Sequence, residues 1–248
     1  SKMKTGNKIP SKLIIIALSL MTIMCTTQIK AQTTTITSQT NIATLVNGGE
    51  GTKENPYKIS TIQQLKDLST YVNAGGKTTF SNQIVGRGNN TYVAMYFSLQ
   101  NDLDFNNTAF TSIGNNINPF QGRFYGNGHT ISNIVIDQST QDYIGLFGYI
   151  SKEPNEGRQY LVQAPFQGDS ASVEGLGLIN ATITGNTYVG GIVGYADKCE
   201  YIKDCYVTNS TITANSYVGG IAGYAQTNVY QGISYCYSKN NNISGTNY

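Results

Sequence analysis

One short pattern recurs along this chain and limits what the chain can fold into. Residues 188–195 have the sequence YVGGIVGY, residues 217–224 have YVGGIAGY, and residues 143–149 have the looser version YIGLFGY. The two close copies start 29 residues apart. A period of about 20–50 residues is typical of stacked-repeat proteins, in which one unit cannot bury its apolar face without a neighbour. The pattern therefore predicts a stack of similar coils.

A second pattern lies between the copies of the first. It is a largely apolar triplet at positions i, i+3 and i+5, found as Ile131/Ile134/Ile136, Val173/Leu176/Leu178, Ile202/Cys205/Val207 and Ile233/Cys236/Ser238. The last three copies are followed by Asn180, Asn209 and Asn240. We interpret each coil as a Tyr-Gly-Gly strand, an Ile-x-x-Leu-x-Val strand, an Asn turn and a short Thr-Ile-Thr strand.

Stacking of these units defines the predicted fold. Equivalent strands would pair in parallel about 4.8 Å apart, so that inward aliphatic side chains stack on their equivalents. Asn side chains at one turn position could hydrogen-bond along the stack as a ladder. Only 12% of the residues are charged, and the 27 glycines and frequent Thr, Asn and Tyr favour strands and turns over helices. We predict an all-β, right-handed parallel β-helix (β-solenoid).

One helix is predicted near the beginning of the fold. Apolar residues recur at helical spacing over residues 61–73, with Ser60 as the expected cap and Gln63 as its partner. A solenoid needs a cover for its first coil, and we expect this helix to be the N-terminal cap. Residues 77–92 are rich in Gly and Asn and predict a loop.

The N-terminus has the features of an export signal. Four lysines precede an apolar run of 12 residues, LIIIALSLMTIM, which is too short to span a bilayer comfortably. We predict a signal peptide at residues 1–31, with lipid attachment at Cys25 as the alternative. Its removal takes away five lysines and no acid, which leaves a net charge of −3 and no basic patch. The mature chain is therefore expected to lack a transmembrane span and a nucleic-acid partner.

The remaining boundaries follow from the repeats. We predict a flexible lead-in at residues 32–47, the cap and first coils at residues 48–130, and repeats at residues 131–248. The last residue, Tyr248, would start another copy of the tyrosine pattern. We therefore expect a solenoid truncated at its C-terminus.

An insertion interrupts the repeats at residues 150–172. Tyr149 and the next triplet are 24 residues apart, whereas the corresponding later intervals are 7 and 9 residues. The insertion should project from one corner, and we expect its Arg158, Tyr160 and Phe166 to contact a ligand. Its Asp-Ser-Ala sequence matches a short O-glycosylation pattern, which makes Ser170 the predicted modification site.

No group of residues in the sequence forms a catalytic or metal-binding motif, and no cofactor is predicted. His129 is the only histidine and lies in a Gly-Asn-Gly turn. Asp102 and Asp104 share a strand face and could bind Ca²⁺ or act as acid and base, but a solvated role is the simpler interpretation. Zinc-ligand and Ser-His-Asp patterns are absent from the sequence.

The cysteines and the repeated tyrosines each have two possible structural roles. Export would permit disulfides among Cys199, Cys205 and Cys236. Cys205 and Cys236 also occupy equivalent repeat positions, where small buried side chains would stack. The repeated tyrosines would form ladders, which either stabilise the stack or offer an exposed surface for sugars.

The glycine tetrads point to a known family. GLFG at residues 145–148, GIVG at 191–194 and GIAG at 220–223 resemble the GLUG motif of bacterial secreted and surface proteins. Residues 120–131 are similar to the segment that often precedes it, so the resemblance covers residues 48–248. It implies an extracellular β-solenoid, often part of a large adhesin-like protein or appended to a secreted peptidase. The motif brings no catalytic residues with it.

We therefore predict a non-enzymatic, secreted or surface-bound adhesin-like protein or stalk. A host or matrix glycan or protein is the expected partner. One alternative is a polysaccharide-processing β-helix enzyme, which requires carboxylates and basic residues on one face of adjacent coils. Within the repeats no acid recurs, with Asp204 as the single exception. The other alternative is an accessory region of a larger secreted peptidase.

Overall fold

Short parallel strands wind through this chain in successive coils. The computed structural model describes residues 35–83, 90–152, 171–226 and 232–247. The predicted signal peptide and most of the insertion lie outside the described residues. Five parallel sheets run along the stack, and we number them in the order in which one coil passes through them.

Sheets 1 and 2 contain the strands that hold the first and the last residue of each later triplet. Sheet 1 consists of Tyr57–Ile59, Tyr96–Leu99, Arg123–Tyr125, Ser172–Glu174, Tyr201–Lys203 and Ile233–Ser234. Sheet 2 consists of Leu103–Asp104, Thr130–Ser132, Gly177–Ile179, Tyr206–Thr208 and Tyr237–Lys239. Coils 1 to 5 begin with the sheet 1 strands that start at Tyr96, Arg123, Ser172, Tyr201 and Ile233.

Sheets 3, 4 and 5 complete each coil. Sheet 3 consists of Val135–Asp137, Thr182–Thr184, Thr211–Ala214 and Asn242–Gly245. Sheet 4 pairs Thr187–Gly190 with Ser216–Gly219, and sheet 5 consists of Phe147–Ser151, Val193–Asp197 and Ala222–Gln226. Every pairing within these five sheets is parallel.

The strand register confirms the parallel β-solenoid. In sheet 1, Val173 lies beside Phe124 in the preceding coil and beside Ile202 in the following coil. All three side chains point inwards and are fully buried. Equivalent columns run through sheet 2 and sheet 3, where Leu178 and Ile183 are also fully buried. The apolar core is thus a set of columns, because each coil alone has too little area to bury.

The structure corrects the division of each coil into strands. The Ile-x-x-Leu-x-Val pattern is two strands rather than one, since Tyr201–Lys203 and Tyr206–Thr208 belong to different sheets. Asp204 turns the chain between them with a φ of 50°. The Tyr-Gly-Gly pattern likewise spans two strands, Thr187–Gly190 and Val193–Asp197. Each coil therefore has more corners than its sequence suggested.

The alignment of the first triplet was also wrong. Ile131 pairs with Leu178 in sheet 2, and the partner of Val173 in coil 2 is Phe124. The corner of coil 2 at residues 126–129 is two residues longer than the corner that follows Val173. Because of this longer corner, the residues of coil 2 do not follow the spacing of the later triplets. Ile134 is a buried residue of a different corner, and it matched the middle position of the triplet only by its spacing.

Asparagines hold the corner between sheets 2 and 3. Asn133, Asn180, Asn209 and Asn240 have φ values of 54°, 53°, 54° and 56°. Asn tolerates this left-handed region better than other non-glycine residues, because its short side chain bonds locally. Asn180 Nδ2 also donates to Asn133 Oδ1 at 3.4 Å, which is one step of the predicted ladder.

The elements before coil 1 differ in detail from the expectation. The helix spans Ile62–Asn73, and its cap is Thr61 with Gln64 as partner, rather than Ser60 with Gln63. Thr61 Oγ1 accepts from Gln64 N at 3.2 Å, and Gln64 Oε1 accepts from Thr61 N at 3.1 Å. Residues 77–92 are not simply a loop, because strands Thr79–Gln83 and Asn90–Ala94 form an antiparallel hairpin.

Helix side chains bind the backbone of coil 1. Ser69 Oγ donates to Thr111 O at 2.7 Å, and Asn73 Nδ2 donates to Ser112 O at 2.9 Å. Part of the predicted flexible lead-in also has regular structure, because Ile42–Thr44 form a 3₁₀ helix and Ile42 is buried in the core.

Glycines allow sheets 4 and 5 to lie against each other. A Cβ at Gly194 would come within 2.5 Å of Ile144 N and 2.7 Å of Gly148 O. Gly223 lies against the Tyr188–Val189 backbone in the same way, one coil further along. The second glycine of the GIVG and GIAG tetrads is thus required by close backbone contact.

Replacement of Gly194 by alanine tests this contact. We expect Gly194→Ala to lower the free energy of unfolding by about 1–3 kcal/mol or more, because backbone atoms cannot move aside as side chains do. Thr182→Ala, at an exposed position of the same coil, should change it by less than about 0.5 kcal/mol. Denaturant unfolding measures both, and equal effects would contradict the role of Gly194.

Candidate functional site

A cluster of charged and aromatic side chains covers sheet 1 across coils 2 to 4. Outward positions alternate with the buried column, which places Arg123, Ser172 and Tyr201 side by side on three consecutive coils. Glu174 and Lys203 are neighbours at the next outward position. Strand register, rather than sequence proximity, brings these residues together.

Arg123 is the centre of this sheet 1 cluster. Its side chain is only 8% exposed, and one guanidinium nitrogen pairs with the Glu200 carboxylate. The guanidinium carbon lies 5.6 Å from the centre of the Tyr96 ring and 5.8 Å from that of Tyr201. Such contacts suit the planar guanidinium, which stacks on rings while it bonds a carboxylate.

Glu174 is the second carboxylate of the cluster. It accepts from Tyr201 OH at 3.1 Å and from Lys203 Nζ at 3.3 Å. The hydrogen bond to Glu174 raises the pKa of Lys203, with further contributions from the charges of Glu174 and Asp204. Burial raises the pKa of Tyr201 to about 12, against the opposing effect of the Arg123 charge. Both groups therefore stay protonated near neutral pH and are poor general bases.

Sequence reasoning missed this cluster. We expected no recurring acid in the coils beyond Asp204, whereas Glu174 lies in the sheet 1 strand of coil 3 and Glu200 lies directly before that of coil 4. Glu174 pairs in register with Lys203, three positions after Glu200, so the two glutamates do not align as a repeat. The sequence does contain a signal for this cluster: polar residues lie on either side of each buried sheet 1 residue. They can be aligned between coils only when the register of coil 2 is known.

Two columns of stacked tyrosines form a second surface feature, at the corner of sheets 4 and 5. Within the columns the ring centres are 4.8–5.4 Å apart and the rings are 8–23° from parallel. Rings of different columns meet edge to face, as Tyr188 and Tyr195 do at 5.1 Å and 89°. The columns consist of Tyr143, Tyr188 and Tyr217, and of Tyr149, Tyr195 and Tyr224.

This geometry favours the stabilising role of the tyrosines over sugar stacking. A sugar packs on the face of an aromatic ring, but both faces of Tyr188 and Tyr195 are covered by the rings of their columns. The first column also has φ values of 63°, 59° and 51°, which are unfavourable for bulky residues. Ring contacts of about 0.5–1.5 kcal/mol each can offset that cost.

The remaining sequence candidates serve the turns between strands. Asp102 Oδ1 accepts from Thr130 N at 2.8 Å and lies 3.3 Å from His129 Nδ1. Asp104 accepts from Asn133 Nδ2 at 2.7 Å and from Asn106 N at 2.8 Å. These bonds lower the pKa of both carboxyl groups, the largest contributions coming from Thr130 N and Asn133 Nδ2 respectively.

Four other predicted site residues belong to the insertion. Arg158, Tyr160, Phe166 and Ser170 lie outside the described residues. Within the described ranges, no group of three or more His, Cys, Asp or Glu could hold a metal ion. No helix in the described part of the chain is long and apolar enough to cross a membrane.

Comparison with known proteins identifies the repeat. The GLUG motif matches residues 185–213. This segment is one full turn of the solenoid, because Gly185 N donates to Thr213 O of the next coil at 3.0 Å.

Two relatives contain similar segments. A protein of Evansella cellulosilytica, provisionally named a Gly-rich membrane protein, is 34% identical over 142 residues, which are 57% of this chain and 14% of the relative. Halomucin of Haloquadratum walsbyi is 30% identical over 172 residues, covering 61% of this chain and 2% of its own length. The chain thus spans a small part of each relative.

One solved structure also matches. It is a Bacteroides ovatus protein provisionally described as an immunoglobulin A1 protease, with a TM-score of 0.48 and 19% identity. The match covers 82% of this chain and 62% of that protein.

The pKa of Tyr201 gives a test of the sheet 1 cluster. The folded pKa lies above the value near 10 of an unperturbed tyrosine, so its contribution to stability is present below about pH 10 and lost as the pH rises to about 12. In an ultraviolet titration, Tyr201→Phe should remove the amplitude of one tyrosine near pH 12. The matched control Tyr235→Phe, at an exposed position, should retain it. Loss of that amplitude near pH 10 instead of near pH 12 in Tyr201→Phe would contradict the burial of this hydroxyl.

Proposed function

We propose that this GLUG-motif chain is a non-enzymatic, extracellular, adhesin-like scaffold whose coils act as a stalk. The observation that carries the proposal is the repetition of one coil in register, with inward columns of aliphatic residues and outward columns that bond to one another. Such a stack can be lengthened by adding similar coils, because each coil contacts only its neighbours. The name of the Evansella relative, a membrane protein, agrees with a place at the cell surface.

The proposal includes the domain arrangement inferred from sequence. Residues 1–31 are a signal peptide that directs the chain to the outside or the outer surface of the cell. Residues 48–130 provide the cap and the first coils, and residues 131–248 the repeats. The solenoid is right-handed, and the helix Ile62–Asn73 is its N-terminal cap. The hydrogen bonds from Ser69 and Asn73 to coil 1 support the capping role, because they satisfy backbone carbonyls on the side of that coil.

The proposed ligand-contacting element is the insertion that follows coil 2. Lys152 and Ala171 mark the ends of the described chain on either side of it, and both adjoin strands at the border of sheets 5 and 1. A segment attached at a corner can change in length without disturbing the buried columns. Arg158, Tyr160 and Phe166 would contact a glycan or protein of the host or matrix, and Ser170 would carry the O-linked glycan.

Binding measurements test this assignment. Immobilised matrix proteins and a panel of glycans would be presented to the purified chain, and the tightest binder chosen as probe. The double variant Tyr160→Ala/Phe166→Ala should then weaken binding by about 30-fold or more, the effect of removing a binding hot spot. Tyr235→Ala is the matched control, because Tyr235 is an exposed aromatic outside the insertion. Unchanged binding by the double variant would show that the insertion is not the contact element.

A polysaccharide-processing activity is the second candidate, and the sheet 1 cluster favours it. Glu174, Glu200, Arg123 and Lys203 lie on adjacent coils, as that hypothesis required. Both carboxylates, however, are held in ion pairs. We therefore expect no turnover of acidic glycans, measured by release of reducing ends. Turnover that is lost in Glu174→Gln/Glu200→Gln would instead establish the enzyme. The third candidate, an accessory region of a secreted peptidase, is tested by the complete reading frame.

A further inference from the structure

Two cysteines occupy the same corner of consecutive coils. Cys205 and Cys236 lie between sheets 1 and 2, and the residues that follow them, Tyr206 and Tyr237, are paired in register. Neighbouring parallel strands are about 4.8 Å apart, within the Cα separation of about 4.4–6.8 Å that a disulfide requires. The fold therefore brings together two thiols that are 31 residues apart in the sequence.

Local geometry gives both thiols the same orientation. Each cysteine follows a residue in the left-handed region, Asp204 with a φ of 50° and Tyr235 with a φ of 53°. Cys205 Sγ lies 3.2 Å from Lys203 O, and Cys236 Sγ lies 3.3 Å from Ser234 O. The two side chains thus repeat one arrangement, stacked one above the other.

The two thiols differ in exposure and acidity. Cys205 is 1% exposed within the core, whereas Cys236 is half-buried on coil 5. The Cys205 proton can be shared with Lys203 O or with the sulfur of Cys236. When it is shared with Cys236, the hydrogen bond lowers the pKa of Cys236 and raises that of Cys205. Cys236 is then the thiolate from which thiol–disulfide exchange starts.

We propose that Cys205 and Cys236 form a reactive dithiol, which a small-molecule disulfide oxidises to an intramolecular bond between coils 4 and 5. The Cys236 thiolate attacks one sulfur of the oxidant, the oxidant's S–S bond breaks, and one thiolate leaves. Cys205 then gives up its proton and attacks the Cys236 sulfur, which releases the second thiolate. The two protein thiols lose two electrons, and the oxidant gains them as two thiols.

The bond would join coil 5 to coil 4 at one corner. A covalent link at the corner holds this coil to coil 4 independently of the buried columns. In the reduced chain the same thiols pack as small apolar side chains, so both states are compatible with the fold.

Oxidation of the full chain tests the proposal. The chain, with Cys25→Ser, is treated with glutathione disulfide at neutral pH, digested without reduction and mapped by mass spectrometry. The expected product is a linked Cys205–Cys236 peptide pair that lacks two hydrogens and is restored by dithiothreitol. Cys199 should remain unmodified, because it is fully buried and burial raises its pKa to about 12. The matched control Cys199→Ser should give the same linked pair.

Single variants then assign the two roles. In Cys205→Ser, Cys236 should retain glutathione as a mixed disulfide, because the resolving thiol is missing. In Cys236→Ser, the linked pair should be lost and Cys205 should stay unmodified. Protection of Cys199 shows that each variant is folded. Absence of the linked pair in a chain with protected Cys199 would overturn the proposal, as would links to Cys199 or between two molecules only.

Discussion

Backbone pairing in register between consecutive coils is the constraint on which the rest of this structure depends. In the part of the chain that the structure describes, the strands of consecutive coils exchange backbone hydrogen bonds, so equivalent residues must lie about 4.8 Å apart in every sheet that the coils share. A change in length at one position would break that register everywhere, unless it is confined to a corner. The longer corner at residues 126–129 and the insertion after Lys152 both obey this rule.

The same constraint selects residue types at the corners. Left-handed backbone is required between sheets 2 and 3, where asparagine supplies it in four coils. At the start of sheet 4 tyrosine adopts this conformation instead, and stacking within the tyrosine columns offsets the strain. Glycine is needed where sheets 4 and 5 touch through their backbones. The tyrosines and glycines of the GLUG motif thus meet requirements of backbone conformation and packing.

Stacking also brings together side chains that are far apart in the sequence. The sheet 1 cluster joins Arg123 to Glu200 across two coils, although the residues are 77 positions apart. The cysteine pair on coils 4 and 5 arises in the same way. A solenoid with few charged residues can therefore concentrate several of them on one face, because each coil returns the chain to the same place.

The sequence by itself determined the repeat, the all-β class and the parallel stacking, because a 29-residue period of inward aliphatics has few other ways to bury its apolar area. It also located the helix, although the N-cap is Thr61, one residue later than expected. The Thr61 hydroxyl accepts a hydrogen bond from the backbone N–H of Gln64. Only the tertiary structure decided the number of sides in each coil, the register of coil 2 and the partners of Glu174 and Glu200. Those depend on where left-handed residues turn the chain, and a turn of one residue at Asp204 leaves no trace in the apolar spacing.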